Sequence, residues 1–231
     1  FQINSCNKCG HGFVSNSIDQ KLLNDHYGSI REDKTFKEDL LKQDFPGSKS
    51  YALLYLKLFK KFNKNIQQFL EVGCGWGYAS EHAFKKGWNI SATEFSDNCV
   101  LSLKERTSPK SYIQKISFEE FKPKNKNQLY DAILMSQVLE HSIEPIEWLL
   151  KANSMLDKKG ILIIAVPQFK GFYNFLGLRD PFICPPQHLN FFTKKSLRIA
   201  LEMSGFKILY HKGYSRIPFY NVWKKRIKNK L

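Results

Sequence analysis

The sequence predicts an α/β fold built on a doubly wound, mostly parallel sheet, with a helical cover on its N-terminal side. From residue 66 onward, short apolar runs alternate with amphipathic stretches, which is the pattern of such a sheet. The run Ile161–Val166 has the length of a buried strand and is far shorter than the roughly 18–20 residues of a membrane span. The 231 residues suffice for one sizeable domain and a small appendage, but not for two full domains.

The order of the predicted elements follows from the same pattern. Strands are expected at residues 69–73, 89–94, 111–117, 130–137, 160–167 and 206–211, and helices at 77–86, 97–106, 146–156 and 196–203. Residues 18–62 carry apolar groups at helical spacing, with a break at Pro46-Gly47. We therefore divide the chain into a cysteine-bearing start (1–13), a helical N-terminal cover (14–65) and a main domain (66–231) that contains an aromatic, proline-bearing loop (168–193).

The net charge of +15 has two interpretations. It indicates affinity for polyanions or acidic lipid headgroups, or it reflects drift in composition, since Lys and Asn are frequent throughout. We favour drift for most of the chain. The tail Lys224–Lys230 is a concentrated basic run, for which contact with a membrane surface, contact with a phosphate-bearing substrate, and a solvated end all remain open.

The five cysteines are odd in number and show no dense disulfide pattern, which favours a reducing, cytoplasmic location. Cys6-Asn-Lys-Cys9 has the spacing of half a zinc ribbon. A tetrahedral site needs two more ligands, and His11 is too close to complete it alone. Zinc is therefore expected only if a second cysteine pair lies upstream of Phe1, and a metal-free remnant is the alternative.

A glycine-rich loop, Glu71-Val-Gly-Cys-Gly-Trp-Gly77, follows an apolar strand and opens a helix. Glycines let the backbone turn tightly and approach a ligand, and open parallel sheets bind ligands at the carboxyl ends of their strands. A dinucleotide site would need G-x-G-x-x-G/A, but Tyr78 stands where the third glycine belongs, and no Gly-Lys-Ser/Thr follows to form a P-loop. By itself, the loop is also compatible with a tight turn that binds nothing.

A second feature points to a nucleoside ligand. Glu94 ends the second predicted strand, 17 residues after Gly77. A carboxylate at this place accepts hydrogen bonds from both hydroxyls of a ribose and disfavours a phosphorylated ribose. An ordinary surface carboxylate is the alternative, although strand ends in this topology face the cleft.

Together these features resemble the class I S-adenosylmethionine-dependent methyltransferases, which have a Rossmann-like fold. More narrowly, they resemble the subgroup of ubiquinone-biosynthesis O-methyltransferases and bacterial sugar methyltransferases. The resemblance covers residues 66–213. It includes the Tyr130–His141 segment with its Glu-His ending, the turn and strand at 156–167, and the stretch Pro185–Thr193. Met135–Val138 lacks the Asn/Asp-Pro-Pro-aromatic motif of nucleic-acid N-methyltransferases, so a nucleic-acid base is disfavoured as acceptor.

The resemblance implies a role for each predicted residue of the donor site. Glu71, Gly73, Gly75 and Gly77 would hold the amino-acid end of S-adenosylmethionine, Glu94 its ribose, Phe95, Ser117 and Phe118 its adenine side, and Ser136 and Gln137 its methionine portion. Tyr27 would cover the cofactor, although it is equally compatible with packing of the helical cover.

Two histidines are candidates for catalysis. Methyl transfer depends mainly on in-line positioning, and a hydroxyl acceptor gains about 10²–10⁴-fold from a general base. His188, in the aromatic loop, is the predicted base, with a backbone-bonded loop histidine as the alternative. His141 is expected to hold loop geometry rather than to act directly. Tyr173 and Asn174 either position the acceptor or pack the loop.

The sequence thus predicts methyl transfer from S-adenosylmethionine to a small-molecule acceptor. A hydroxyl of a sugar, nucleotide-sugar or quinone-type metabolite is expected, and the acceptor is anionic or lipid-linked if the basic tail takes part. An RNA or protein methyltransferase, supported by the net charge, is one alternative. A non-catalytic cofactor-binding module with a decayed acceptor site is the other.

Overall fold

The computed structural model describes residues 1–19, 23, 48–171 and 183–213. In chain order its elements are β1 (Ile3–Ser5), β2 (Gly12–Val14), α1 (Ser48–Phe62), β3 (Gln68–Val72), α2 (Tyr78–Phe84), β4 (Asn89–Glu94), α3 (Asp97–Arg106), β5 (Tyr112–Lys115), β6 (Tyr130–Ser136), a 3₁₀ turn (Leu139–His141), α4 (Pro145–Met155), β7 (Leu156–Ala165), β8 (Asn190–Phe191) and α5 (Lys194–Met203). Of the predicted helical cover, α1 and the buried, helical Leu23 are described. Among the described residues, none of the helices combines the length and apolar character needed to cross a membrane.

The central sheet has the strand order β5-β4-β3-β6-β7, and every pairing in it is parallel. The chain first winds outward from β3 through β4 to β5, then returns to the other side of β3 with β6 and β7. β3 and β6 are therefore neighbours at the switch point, where a doubly wound sheet opens a crevice beyond its carboxyl ends. The predicted doubly wound parallel sheet is confirmed.

Helices cover both faces of the sheet, so its strands carry apolar side chains on both sides. On one face, Phe69 of β3 packs edge-on against Phe59 of α1, with ring centroids 5.9 Å apart, and also contacts Trp88. On the other face, the adjacent Leu70 belongs to the cluster that α4 covers with Leu149. The helical layers on the two faces hold the strand ends, and hence the crevice, in a fixed arrangement.

Local capping explains where three helices begin. Ser96 accepts a hydrogen bond from the Cys99 amide at the start of α3, and Pro145 occupies the first turn of α4, where its missing N–H is not needed. Thr193 and Ser196 form a reciprocal capping box at the start of α5. These sites place α3 and α4 within about a residue of the predicted bounds.

The N-terminal segment forms a β-hairpin that the sequence did not predict. β1 pairs with β2, and β2 pairs with β8, all antiparallel. Thr193 Oγ1 donates to the Cys9 carbonyl at 3.0 Å, and Lys195 Nζ donates to the Lys8 carbonyl at 2.6 Å. Strands of two or three residues are too short for alternation to reveal them, and their pairing joins distant parts of the chain.

The strand predicted at residues 206–211 is wrong. The segment pairs with none of the described strands, and it borders a groove of about 1210 Å³ that also lies along β7. Leu209 and Tyr210 remain exposed at 55% and 43%. Alternation of apolar and polar residues indicates only that a segment could place its side chains on two opposite faces. A strand also needs a neighbouring strand to complete its backbone hydrogen bonds.

Candidate active site

A cavity of about 390 Å³ opens at the carboxyl ends of β3, β4 and β6. The predicted site residues that line it are Glu71, Gly73, Gly75, Glu94, Phe95, Phe118, Ser136, Gln137 and His141. Tyr27, Tyr173, Asn174 and the basic tail lie outside the described residues. The structure therefore gathers most of the predicted donor residues and one predicted histidine around a single cavity.

The glycine loop adopts a backbone that side chains rarely allow. Gly73, Gly75 and Gly77 have φ values of +60°, +51° and +68°. A Cβ on Gly73 would come within 2.4 Å of Val138, and one on Gly77 within 2.6 Å of Leu103, whereas one on Gly75 would meet nothing within 4 Å. Gly73 and Gly77 are thus required for packing, and Gly75 presents its open side to the cavity.

Gly77 and Ser117 do not line the cavity. Gly77 faces Leu103 of α3, and its lack of a side chain lets the loop and that helix pack closely. The Ser117 side chain is buried and accepts from the Glu120 amide at 3.2 Å, so it shapes the turn after β5. Sequence spacing identified the right segments in both cases, but it does not indicate which residue of a segment faces a cavity.

Neighbouring groups hold the glycine loop in place. The Cys74 amide donates to the Thr93 carbonyl at 2.9 Å, and the Gly73 amide to Thr93 Oγ1 at 3.2 Å. On the outer side, the Arg106 guanidinium donates to the Trp76 carbonyl and also pairs with Glu81 of α2. The loop is thereby tied to β4, to α3 and to the helix that it opens.

Glu94 is buried at 2% exposure, and its carboxylate accepts three backbone hydrogen bonds. Oε2 accepts from the Gly75 amide at 2.7 Å, and Oε1 accepts from the Phe95 and Ser96 amides at 2.8 and 3.1 Å. Glu94 therefore braces both the glycine loop and the end of β4.

Glu71 is the second buried carboxylate of the cavity. Its Oε2 accepts from the Ser80 amide at 2.9 Å and from Ser80 Oγ at 2.5 Å. Burial raises the pKa of the Glu71 carboxyl to about 7, because removal from water disfavours the charged form more than the Ser80 hydrogen bonds favour it. This group therefore changes charge near neutral pH.

Aromatic side chains form the side of the cavity near Phe118. Phe118 is buried and lies edge-on to Trp148, with ring centroids 5.4 Å apart. Lys151 Nζ donates to the carbonyls of Phe118 and Glu119, which fixes the turn that carries the ring. This wall offers an apolar, aromatic surface suited to a flat ring.

Gln137 follows β6 with a positive φ of 58°, which is uncommon for a residue other than glycine. Its amide and its side chain Nε2 both donate to the Ala165 carbonyl, at 2.7 and 3.2 Å. The neighbouring Ser136 Oγ donates to Tyr55 Oη at 3.3 Å. The turn after β6 is therefore held from β7 on one side and from α1 on the other.

The two candidate histidines meet at the far end of this turn. The rings of His141 and His188 have centroids 4.9 Å apart, and Glu140 beside them is buried at 1% exposure. His141 Nδ1 lies 2.5 Å from the Gln187 carbonyl oxygen, and the Leu189 amide donates to the Glu140 carbonyl at 2.9 Å. His141 lines the cavity, and His188 contacts the His141 ring but is not itself part of the lining.

Sequence reasoning missed the wall that α1 contributes. Tyr51 and Tyr55 line the cavity, as does Trp148 from α4. Tyr51 and Tyr55 stand four residues apart and so share one helix face. That spacing could have indicated two tyrosines projecting together, but nothing in the sequence shows what the face covers.

Solved structures share this fold. The plantazolicin methyltransferase BpumL in complex with SAH is 15% identical, with a TM-score of 0.61 over 80% of this chain and 75% of that chain. A SAM dependent methyltransferase from Archaeoglobus fulgidus is 18% identical, with a TM-score of 0.59 over 85% and 92%. The sugar N-methyltransferase KedS8 from Streptoalloteichus sp ATCC 53650 is 14% identical, with a TM-score of 0.50 over 68% and 60%.

Some of these matches are partial, since the chain spans 66% of BpumL in its complex with a pentazolic desmethylPZN analog. No curated protein matches the chain in sequence. A family model described as a methyltransferase domain, however, matches residues 44–211. The chain belongs to the methyltransferase domain family. The prediction of a methyltransferase is thereby confirmed, and the fold is that of solved S-adenosylmethionine-dependent methyltransferases.

The cysteine pair of this methyltransferase lies in the turn between β1 and β2. Cys6 and Cys9 are both half-buried, and the Gly10 amide donates to the Cys6 carbonyl at 2.8 Å. Backbone hydrogen bonds from Cys9 and Lys8 lower the pKa of the Cys6 thiol. His11 Nε2 lies 3.2 Å from Asn190 Oδ1. The zinc knuckle stays a prediction.

Proposed function

We propose that this methyltransferase transfers the methyl group to a hydroxyl of a small molecule, with sugars, nucleotide-sugars and quinone-type metabolites as the leading acceptors. The observation that carries the proposal is the contact between His141 and His188, with ring centroids 4.9 Å apart, because His141 lines the same cavity as the predicted donor residues. We call the part of the cavity that His141 lines its acceptor end. Groups able to activate a hydroxyl are thus present beside the place where a methyl donor would lie.

The donor end of the cavity fits S-adenosylmethionine, which supplies a methyl group on a sulfonium that departs as a neutral thioether. The open side of Gly75 admits the backbone of a ligand. Glu71 Oε1 offers an acceptor to the ammonium, and the Glu94 carboxylate, which lines the cavity, is the acceptor that we assign to a ribose hydroxyl. Phe118 and Phe95 supply the adenine side.

At the acceptor end, catalysis requires the nucleophile, the methyl carbon and the sulfur to lie in line. His141 is held by the Gln187 carbonyl, so its role is to fix the 3₁₀ turn and the ring of His188. His188 is the group that we assign to activation of the hydroxyl. An anionic or lipid-linked acceptor would use the basic tail Lys224–Lys230 of the sequence. Because KedS8 is a sugar N-methyltransferase, methylation of an amine is the alternative that the test has to distinguish.

A screen of acceptors with isotopically labelled methyl donor tests the proposal. Nucleotide sugars and quinone precursors come first, followed by amines, peptides and RNA. A labelled product whose new methyl group is on oxygen supports the proposal. Methylation confined to nitrogen, or to RNA in a salt-sensitive manner, contradicts it.

The histidine assignment has its own prediction. His188→Ala should lower turnover by at least about 10-fold while donor binding survives, because the ring lies outside the donor-lining set. Turnover is measured with the labelled donor and binding by titration calorimetry with S-adenosylhomocysteine. His211→Ala, an exposed histidine in the segment after α5, is the control. Undiminished turnover in the His188 variant would contradict the assignment.

A further inference from the structure

Three potential metal ligands converge next to the acceptor end of the cavity, which His141 alone of the three lines. One ligand atom from each of Glu140, His141 and His188 lies within 4.8 Å of the other two. Ligands about 2.1 Å from a tetrahedral ion are roughly 3.4 Å apart, so small side-chain rotations would bring the set to bonding distance. The 3₁₀ turn supplies two of the residues, and the hydrogen bond from the Leu189 amide to the Glu140 carbonyl brings the third beside them.

The orientation of His141 suits a ligand. Its Nδ1 is 2.5 Å from the Gln187 carbonyl oxygen, which can only accept, so Nδ1 carries the hydrogen and Nε2 bears the lone pair. Metal-ligating histidines usually donate their other ring N–H to a carbonyl or carboxylate in this way. The backbone of residue 187 thus selects the tautomer that metal binding requires.

The donor set also indicates the kind of ion. Two neutral imidazoles and one carboxylate carry a net charge of −1, which complements a divalent cation in a buried place. Imidazole nitrogen favours zinc, iron, cobalt and similar transition metals, whereas magnesium and calcium prefer all-oxygen sets. Three protein ligands leave coordination positions for a further oxygen.

We propose that Glu140, His141 and His188 bind a divalent transition-metal ion that activates the acceptor, an inference that rests on the proposed hydroxyl methylation. The ion lowers the pKa of a coordinated hydroxyl, and the released proton passes to solvent. The oxygen then forms a bond to the methyl carbon as the carbon–sulfur bond breaks, and the electron pair of that bond stays on sulfur. In this arrangement His188 acts as a ligand and not as a free base.

Cobalt(II) is the probe, because its visible absorption reports coordination by nitrogen and oxygen. The protein is stripped with a chelator and titrated with Co²⁺ in a Cys6→Ser, Cys9→Ser background, which removes the thiol pair at the N-terminus as a competing site. We expect about one Co²⁺ per chain. Glu140→Gln, His141→Ala and His188→Ala should each weaken binding by at least about 100-fold, since outer partners alone contribute about 10- to 100-fold.

Controls separate this site from folding and from the methyl-transfer proposal. His211→Ala, outside the cluster, should bind Co²⁺ as the parent does. Thermal unfolding and S-adenosylhomocysteine affinity are measured on every variant. A loss of Co²⁺ binding is attributed to the missing ligand in those variants that keep the parent's unfolding temperature and S-adenosylhomocysteine affinity, and at least one of the three ligand variants must do so.

The outcomes are distinct. Loss of Co²⁺ binding in the ligand variants, together with chelator-sensitive turnover that Co²⁺ or Zn²⁺ restores, supports the proposal. Binding that persists in the ligand variants, or no saturable binding in a protein that still binds S-adenosylhomocysteine, overturns it and leaves hydroxyl methylation standing. Saturable binding without methylation of any hydroxyl overturns the proposed function and the role of the ion in activating the acceptor, and leaves the metal site itself standing.

Discussion

At the scale of single residues, two carboxylates in the same cavity differ because their surroundings differ. Glu94 accepts three backbone amides and is held as part of the strand end. Glu71 has hydrogen bonds from Ser80 alone among those described, on one oxygen, and burial dominates its pKa. In the sequence both are simply acidic residues at strand ends. Only their packing shows that Glu94 holds the backbone around it and that Glu71 titrates near pH 7.

The Glu71 pKa predicts a pH dependence of stability. The folded-state pKa of about 7 lies above the ordinary 4.5, so folding takes up a proton between these values, and stability falls as pH rises through this interval. Glu71→Gln cannot titrate. Its stability relative to wild type should therefore increase by about 2–3 kcal/mol between about pH 5 and about pH 8, a range that covers most of the shift.

Urea unfolding of ligand-free protein measures this difference. Glu105→Gln, exposed on α3, is the matched control and should differ from wild type by the same amount at each pH. A Glu71→Gln difference that does not change with pH would contradict the raised pKa of Glu71.

Glu94 predicts a loss of donor affinity. Glu94→Ala removes an acceptor from the Gly75 amide and the acceptor proposed for a ribose hydroxyl, so S-adenosylhomocysteine should bind about 10- to 100-fold more weakly. Titration calorimetry with S-adenosylhomocysteine and its 2′,3′-dideoxy analogue separates the two effects. Wild type should prefer the hydroxylated ligand, and the variant should not. Unchanged affinity in the variant would refute the ribose role.

At the scale of elements, the glycine loop depends on the helices around it. Its three glycines allow the turn, but Val138 after β6 and Leu103 of α3 determine where the backbone can lie. Arg106, at the last turn of α3, then attaches the Trp76 carbonyl and Glu81 of α2 to one guanidinium. A planar guanidinium can bridge two acceptors in this way, which a lysine ammonium on a flexible stem does less well.

Arg106 therefore predicts an effect on donor binding without contact to the donor. Arg106→Gln should weaken S-adenosylhomocysteine binding by about 10- to 150-fold, because a hydrogen bond that involves a charged group contributes about 1.5–3 kcal/mol to holding the loop. Lys85→Gln is the control, because Lys85 pairs with Glu81 but not with the Trp76 carbonyl. Hydrogen exchange of the Gly75–Gly77 amides should accelerate in the Arg106 variant, and equal behaviour of the two variants would contradict the loop role.

At the scale of the whole molecule, the N-terminal hairpin supports the acceptor end of the site. Asn190 of β8 donates to the Ser142 carbonyl at 2.6 Å and faces His11 of the hairpin at 3.2 Å. Ser142 directly follows His141. The first residues of the chain thus reach the histidine cluster through one buried amide.

Asn190→Ala should lower the free energy of unfolding by about 1–3 kcal/mol, since it leaves buried polar groups without this partner. Turnover should fall while S-adenosylhomocysteine affinity changes little, because Asn190 does not line the donor cavity. Urea unfolding, turnover and calorimetry measure the three quantities. Asn16→Ala, at the exposed end of the hairpin, should change stability by less than about 0.5 kcal/mol. A parallel loss of donor affinity would contradict the separation of the two ends.

Much of the fold followed from local patterns. Alternating apolar runs located β3, β4, β6 and β7, and cap residues such as Ser96 located the helices, because both signals lie within a few neighbouring residues. The strand at 206–211 failed for the opposite reason, since a strand needs a partner that its own residues do not specify. β8 was missed because its two residues are too few to show the alternation of apolar and polar side chains that predicts a strand.

Local sequence patterns were enough to predict the doubly wound sheet, the glycine loop and the methyltransferase family, because periodicity, turn chemistry and motif spacing are properties of contiguous residues. The folded chain was needed to show that Gly77 and Ser117 do not line the cavity, that Tyr51 and Tyr55 do, and that Glu140, His141 and His188 meet. These are contacts between segments far apart in the chain. The winding and packing of the whole sheet determine them, and no local pattern encodes the direction in which a side chain finally points.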